Sequence, residues 1–92
     1  MIQLINKEKI KKEIDKWDPM GLISMEYTKK NDEYDLEVDD IHQRLQKYEV
    51  INEAVIAGVI YVVFARAFGQ TFTKDFGKDD CFAVAREILR EA

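Results

Sequence analysis

The sequence predicts an all-α fold, a compact bundle of about four helices around an apolar third helix. Two observations support this prediction. Apolar residues repeat at helical spacing in three segments, and a fourth segment, from Ala54 to Ala65, is apolar on every side. The 92 residues are enough for one hydrophobic core, so residues 1–92 are expected to form a single domain. An apolar fraction of 47% is too high for a disordered chain.

The first helix is predicted over residues 7–17. Its apolar residues share one face: Ile10, Ile14 and Trp17. Asn6 is the expected N-cap, because its side chain can accept a hydrogen bond from a free backbone N–H. Pro19 should end the helix near Trp17, and Gly21 permits the positive φ that a turn after Pro19 requires.

The second helix is predicted over residues 34–48, after a loop over residues 22–31. Its apolar stripe repeats at intervals of three and four: Tyr34, Val38, Ile41, Leu45 and Tyr48. Leu36 falls opposite this stripe. Either the helix begins after Leu36, or an apolar side chain is exposed among acidic neighbours.

The third helix is predicted over residues 50–68, although many of its residues are β-branched and favour strands. Length favours a helix, because a run of this size far exceeds a typical strand of about 5–6 residues. Gly69 can adopt a left-handed conformation and end the helix.

The fourth helix is predicted over residues 79–91, after a loop over residues 70–78. Its stripe matches the amphipathic template in full: Cys81, Val84, Ala85, Ile88 and Leu89. The loop carries Phe72 and Phe76, and the sequence leaves open whether they are buried or exposed. Exposed phenylalanines would indicate an interface.

The charge and composition disfavour several classes of partner. With a net charge of −4, the chain should be repelled by nucleic acids and by anionic membranes. The longest apolar run is shorter than the ~20 residues that span a bilayer. The N-terminal residues lack the apolar core of a signal peptide, and a single cysteine excludes an internal disulfide, so a cytoplasmic location is expected.

No catalytic or metal-binding constellation is apparent, so the chain is expected to be no enzyme and to need no cofactor. His42 lacks an evident nucleophile and orienting partner. Cys81 lies near a helix N-terminus, where a thiol can be activated, but also on the inward stripe, where cysteine is a small apolar residue. The acidic run over residues 32–40 lacks the glycine of a calcium-binding EF-hand loop.

The acidic middle segment is the most distinctive candidate for a binding surface. Residues 32–49 hold seven acids against two bases. The candidate residues are Asp35, Leu36, Asp39, Asp40 and Gln43. They could bind a basic protein partner, as an immunity protein or a regulator does, and electrostatic complementarity would make that binding fast and selective. Two alternatives stay open: a solvated helix face without a partner, and a homodimer that covers the apolar third helix.

Several short motifs occur in a familiar order. They are Trp17-Asp18-Pro19-Met20-Gly21-Leu22, Asp32-Glu33-Tyr34 with Glu37 and Ile41, Phe64, Phe68-Gly69, and Cys81 with Val84-Ala85 and Ile88-Leu89. Together they resemble the YugE-like family of domains of unknown function, over about residues 10–90. The resemblance implies a compact, all-helical bacterial protein without an assigned activity, and it implies no catalytic residues. The segment 76–80 departs from the family pattern.

Overall fold

The computed structural model describes residues 5–22 and 33–90, and every regular element within these two ranges is a helix. There are five such helices: α1 (Lys7–Trp17), α2 (Asp35–Leu45), α3 (Glu53–Phe68), α4 (Gln70–Thr73) and α5 (Lys78–Leu89). Helix α3 packs against α2, α4 and α5, and α1 packs against α2 and α5. The Cα radius of gyration, 12.7 Å, is that of a compact domain of this length. The all-α prediction is therefore confirmed.

Helix α1 has the predicted bounds and the predicted ends. The Oδ1 atom of Asn6 accepts a hydrogen bond from the Glu8 N–H at 2.7 Å. Asp18 adopts a left-handed conformation with φ 45°, and its N–H donates to the Ile14 carbonyl at 2.8 Å. Gly21, with φ 69°, donates its N–H to the Asp18 carbonyl and closes the predicted turn.

Helix α3 is helical despite its β-branched composition, so the prediction made from segment length is confirmed. It begins at Glu53 rather than at residue 50, because the Asn52 side chain accepts from the Val55 N–H at 2.9 Å and caps the helix there. Gly69 ends α3 with φ 57° and ψ −137°, a conformation that only glycine adopts readily.

The predicted bounds need further corrections. Helix α2 begins at Asp35, one residue later than predicted. Helix α2 ends at Leu45, so Tyr48 leaves the apolar stripe and is exposed. The predicted loop over residues 70–78 contains the short helix α4, and α5 begins at Lys78, one residue earlier than predicted. Helix α5 ends at Leu89, two residues earlier than predicted, and Arg90 after it is extended. Most of the predicted 22–31 loop lies outside the described residues.

The core is built around α3, whose buried side chains meet those of the neighbouring helices. One part of it is an aromatic cluster: Trp17, Tyr34, Tyr61, Phe64, Phe68, Phe72 and Phe76. Phe72 is fully buried and Phe76 is partly buried, which answers the question that the sequence left open. Neither is an exposed interface residue. None of the helices in the described ranges is both long and apolar enough to cross a membrane.

Candidate protein-binding surface

The five candidate residues lie on α2, on the side away from the core. We call this surface the outer face of α2: Asp35, Leu36, Asp39, Asp40 and Gln43. The opposite side of the helix carries the fully buried stripe residues Val38, Ile41 and Leu45. At about 100° per residue, Asp40 is displaced by about 40° and Gln43 by about 20° from the direction of Leu36. These three residues therefore form one ridge along the helix.

Leu36 is the most exposed large apolar side chain in the described part of the chain. It keeps 79% of its surface accessible. The helix begins at Asp35, before Leu36. Of the two possibilities that the sequence left open, the structure therefore has the second, an apolar side chain exposed among acids.

Two of the candidate aspartates are already paired with lysines of α1. Asp39 forms an ion pair with Lys7, and Asp35 forms one with Lys11 at 2.8 Å. Since residue 7 meets residue 39 and residue 11 meets residue 35, the two helices run antiparallel. Burial disfavours the charged form of Lys11, but the hydrogen bonds that its ammonium donates to Asp35 and Asp15 outweigh this effect and raise the pKa of Lys11.

The third candidate aspartate is paired within α2 itself. The Asp40 carboxylate accepts from the Arg44 Nε at 2.7 Å, one helical turn further along. The outer face is therefore less negative than its composition suggests. All three carboxylates nevertheless keep about half of their side-chain surface exposed.

Sequence reasoning missed this compensation because it treated the charges of α1 and α2 separately. A signal was present. Lys7 and Lys11 are four residues apart, as are Asp35 and Asp39, and this spacing places each pair on one face of its helix. Two such rows of opposite charge fit helices that pack against each other, but the sequence does not say which helices are neighbours.

A groove between the C-terminal part of α2 and the exposed side of α3 was not predicted. It has a volume of about 450 Å³ and is lined by Arg44, Lys47, Tyr48, Ala54, Val55, Gly58, Val59 and Val62. Two of its large apolar residues are exposed, Tyr48 at 46% and Val62 at 42%. The groove thus combines an apolar floor with a basic rim.

Gly58 leaves open space in this groove. A Cβ atom placed on Gly58 would have no other atom within 4 Å beyond its own helix and chain neighbours. A glycine inside a helix lowers stability by about 1 kcal/mol relative to alanine. Packing within the described chain therefore gives no reason for a glycine at this position.

The two residues with catalytic potential lie in structural environments. Cys81 is fully buried, and burial, with the nearby Asp80 charge, raises the pKa of its thiol to about 12. This suppresses the reactive thiolate and fits the core interpretation. The His42 ring lies 3.3 Å from the Gln46 amide nitrogen, one turn along the chain. Within the described ranges, no group of three or more His, Cys, Asp or Glu side chains could hold a metal ion.

A second cleft, of about 260 Å³, lies between α1 and α5 and contains three carboxylates. Two of them have structural roles. Glu13 is nearly buried and lies 3.5 Å from the Lys9 ammonium, and Asp80 accepts from the Gly77 N–H at 2.8 Å and caps α5. The third, Glu87, is paired with Arg90. The cleft therefore holds no set of free acids poised for acid–base chemistry.

The chain matches no protein-family model, and neither a curated protein nor a solved structure shows detectable similarity to it. The resemblance to the YugE-like family therefore stays a prediction.

Proposed function

We propose that the chain is a non-enzymatic protein-binding module, of the immunity or regulator type, that acts through the outer face of α2. The observation that carries the proposal is Leu36, an apolar side chain that is 79% exposed on a regular helix. It lies between carboxylates that keep half of their surface accessible. An apolar centre with a polar rim is the usual arrangement of a protein interface.

The ion pairs on this face are weak enough to leave it open to a basic partner. Exposed pairs of this kind contribute only about 0.2–1 kcal/mol each. A lysine or arginine of the partner can therefore replace Lys7 or Lys11 beside an aspartate with little loss. The expected partner presents an apolar pocket for Leu36 and cations around it, so its binding should weaken as salt increases.

The test is affinity capture of a partner from a lysate of the native host by the immobilised chain, at low and at high salt. Two variants, each replacing an exposed apolar side chain by aspartate, are compared with the wild-type chain. Leu36→Asp removes the proposed anchor. Val50→Asp makes the same kind of change at a side chain that is 70% exposed but lies outside α2. We expect the wild-type chain and Val50→Asp to retain a stoichiometric partner, and Leu36→Asp to lose it. If Leu36→Asp binds the partner with unchanged affinity and unchanged salt dependence, the outer face is not the binding surface.

A further inference from the structure

We infer that the partner of the outer face is a second copy of this chain, with the two α2 helices antiparallel and Leu36 of each copy in the α2–α3 groove of the other. The inference rests on the proposed function and names its occupant. It joins two features that the fold leaves unexplained, an exposed leucine and an unfilled apolar groove.

The charges of α2 are complementary to themselves in the antiparallel arrangement. The first part of the helix is acidic, with Asp35, Glu37, Asp39 and Asp40, and its end and the following turn are basic, with Arg44 and Lys47. When α2 of a second copy lies antiparallel to the first, the acidic part of each helix lies against the basic end of the other. The two helix dipoles then also oppose each other favourably. The basic side chains that the acidic half of α2 would bind are thus present on the chain itself.

The register follows from the spacing of these residues. With the two-fold axis beside Asp40, a residue that lies a given number of positions after Asp40 faces the residue that precedes Asp40 by the same number. Arg44 then faces Leu36, each about 6 Å along the helix from the axis. Lys47 faces Glu33. The Lys47 ammonium has no ion pair within the described ranges, so it is available for this contact.

The two Asp40 carboxylates approach each other at the axis, but neither carboxylate is unpaired. Each is bound by Arg44 of its own chain at 2.7 Å. In the dimer, each Arg44 also lies close to the Asp40 of the other copy. The four groups therefore alternate in sign, which favours this register over one that brings the acidic ends together.

The groove has the shape and chemistry to receive a leucine. Val55 and Val59 line its floor, and Gly58 adds no side chain there. Arg44, on the rim, lies about 80° around α2 from Leu36. The projecting leucine and the groove are therefore on adjoining sides of the same helix, and one surface of the chain supplies both parts of an isologous contact.

The surface that would be covered is compatible with a stable dimer. A standard interface buries about 800 Å² on each partner. The chain exposes 6264 Å², so such an interface would cover about one eighth of it. Within the described ranges there are four large apolar side chains that are exposed. This contact covers three of them, namely Leu36, Tyr48 and Val62.

Sedimentation equilibrium of the full chain, from about 1 μM to about 1 mM, tests the inference across the usual range of dimer affinities. We expect a monomer–dimer equilibrium for the wild-type chain and for Val50→Asp. Leu36→Asp should weaken the dimer at least about a hundredfold, because each dimer loses two buried leucine contacts. Circular dichroism and thermal unfolding at low concentration serve as the control that the variant is folded.

A charge exchange tests the register. Lys47→Glu and Glu33→Lys should each weaken the dimer about tenfold or more, since each places like charges opposite one another twice. Combining the two substitutions restores opposite charges across the axis and should restore most of the affinity. A double variant no stronger than the single variants overturns this register.

The outcomes separate this inference from the proposed function. A wild-type chain that is monomeric at every concentration overturns the dimer, as does a dimer that Leu36→Asp leaves unchanged. The proposed function then fails only if capture of a different protein is also insensitive to Leu36→Asp. Capture of another protein through Leu36 by a monomeric chain supports the function and rejects self-association.

Discussion

Large apolar side chains lie in two contrasting regions of this molecule. In the aromatic cluster, Phe64 and Phe72 are completely buried, and their rings stack with centroids 5.4 Å apart. Around the outer face of α2 and the adjoining groove, Leu36, Tyr48 and Val62 are exposed. Helix α3 contributes to both regions, since Val62 and Phe64 are only two residues apart.

The contrast separates residues that stabilise the fold from residues that are free to bind. Burial of an apolar side chain favours folding by about 1.5–3 kcal/mol, whereas an exposed one gains little of this. The exposed apolar residues of the groove region, Tyr48 and Val62, therefore contribute little to the folding of the monomer. Their chemistry becomes useful only when another surface covers them.

Truncation in the two regions should have very different effects, and this is the largest difference we expect. Phe72→Ala should lower the free energy of unfolding by about 3–5 kcal/mol, because it leaves a cavity among stacked rings. Val62→Ala, on the same core helix but at the exposed groove, should change it by less than about 0.5 kcal/mol. Urea unfolding of the dilute monomer measures both values. Equal losses of unfolding free energy in the two variants would show that Val62 is part of the core.

Tyr34 joins the aromatic cluster to the turn after α1 and should have the next largest effect. Its hydroxyl donates to the Asp18 carboxylate at 2.6 Å and accepts from the Met20 N–H at 3.0 Å. Tyr34→Phe keeps the ring but leaves both partners without the hydroxyl. The free energy of unfolding should fall by about 1–3 kcal/mol. A loss below this range would mean that water replaces the hydroxyl at this turn.

The pH dependence of the same variant is an internal control. Burial, together with the hydrogen bond to Asp18, raises the pKa of Tyr34 well above its usual value of 10. An acid whose pKa is raised by folding stabilises the fold below its ordinary pKa and loses that contribution as pH rises above it. Wild-type stability should therefore fall as pH rises above about 10, and fall less in Tyr34→Phe. If the free energy of unfolding changes with pH in the same way for the wild-type chain and for Tyr34→Phe, the Tyr34 hydroxyl is not the group responsible.

The sequence was sufficient to predict the elements that depend on local signals. Asn6 and Pro19 mark the ends of α1, and Gly69 marks the end of α3. The buried stripes of α2 and α5 follow directly from apolar spacing. Tyr48 was placed wrongly because the apolar interval continues past Leu45, whereas the helix does not.

Features that depend on which helices are neighbours were beyond the sequence. The ion pairs of Lys7 and Lys11 with α2 need the antiparallel packing of two helices, and the groove needs the relative position of α2 and α3. Helix α4 is an intermediate case. Phe68, Phe72 and Phe76 are spaced by four, which favours helical structure, but the prediction placed a loop after Gly69 and did not use this spacing.

A small gain in stability is expected at Gly58, where the requirements of folding and of binding diverge. Gly58→Ala should raise the free energy of unfolding by about 0.5–1 kcal/mol, because alanine favours a helix and its Cβ meets open space. Thermal unfolding at low micromolar concentration, where the monomer dominates, measures this gain. The same methyl group narrows the groove that is proposed to receive Leu36, so the dimer should weaken while the monomer becomes more stable. A variant that destabilises the dilute monomer would show that the space beside Gly58 is filled within a single chain, and the groove would then lose its role as a receiving surface.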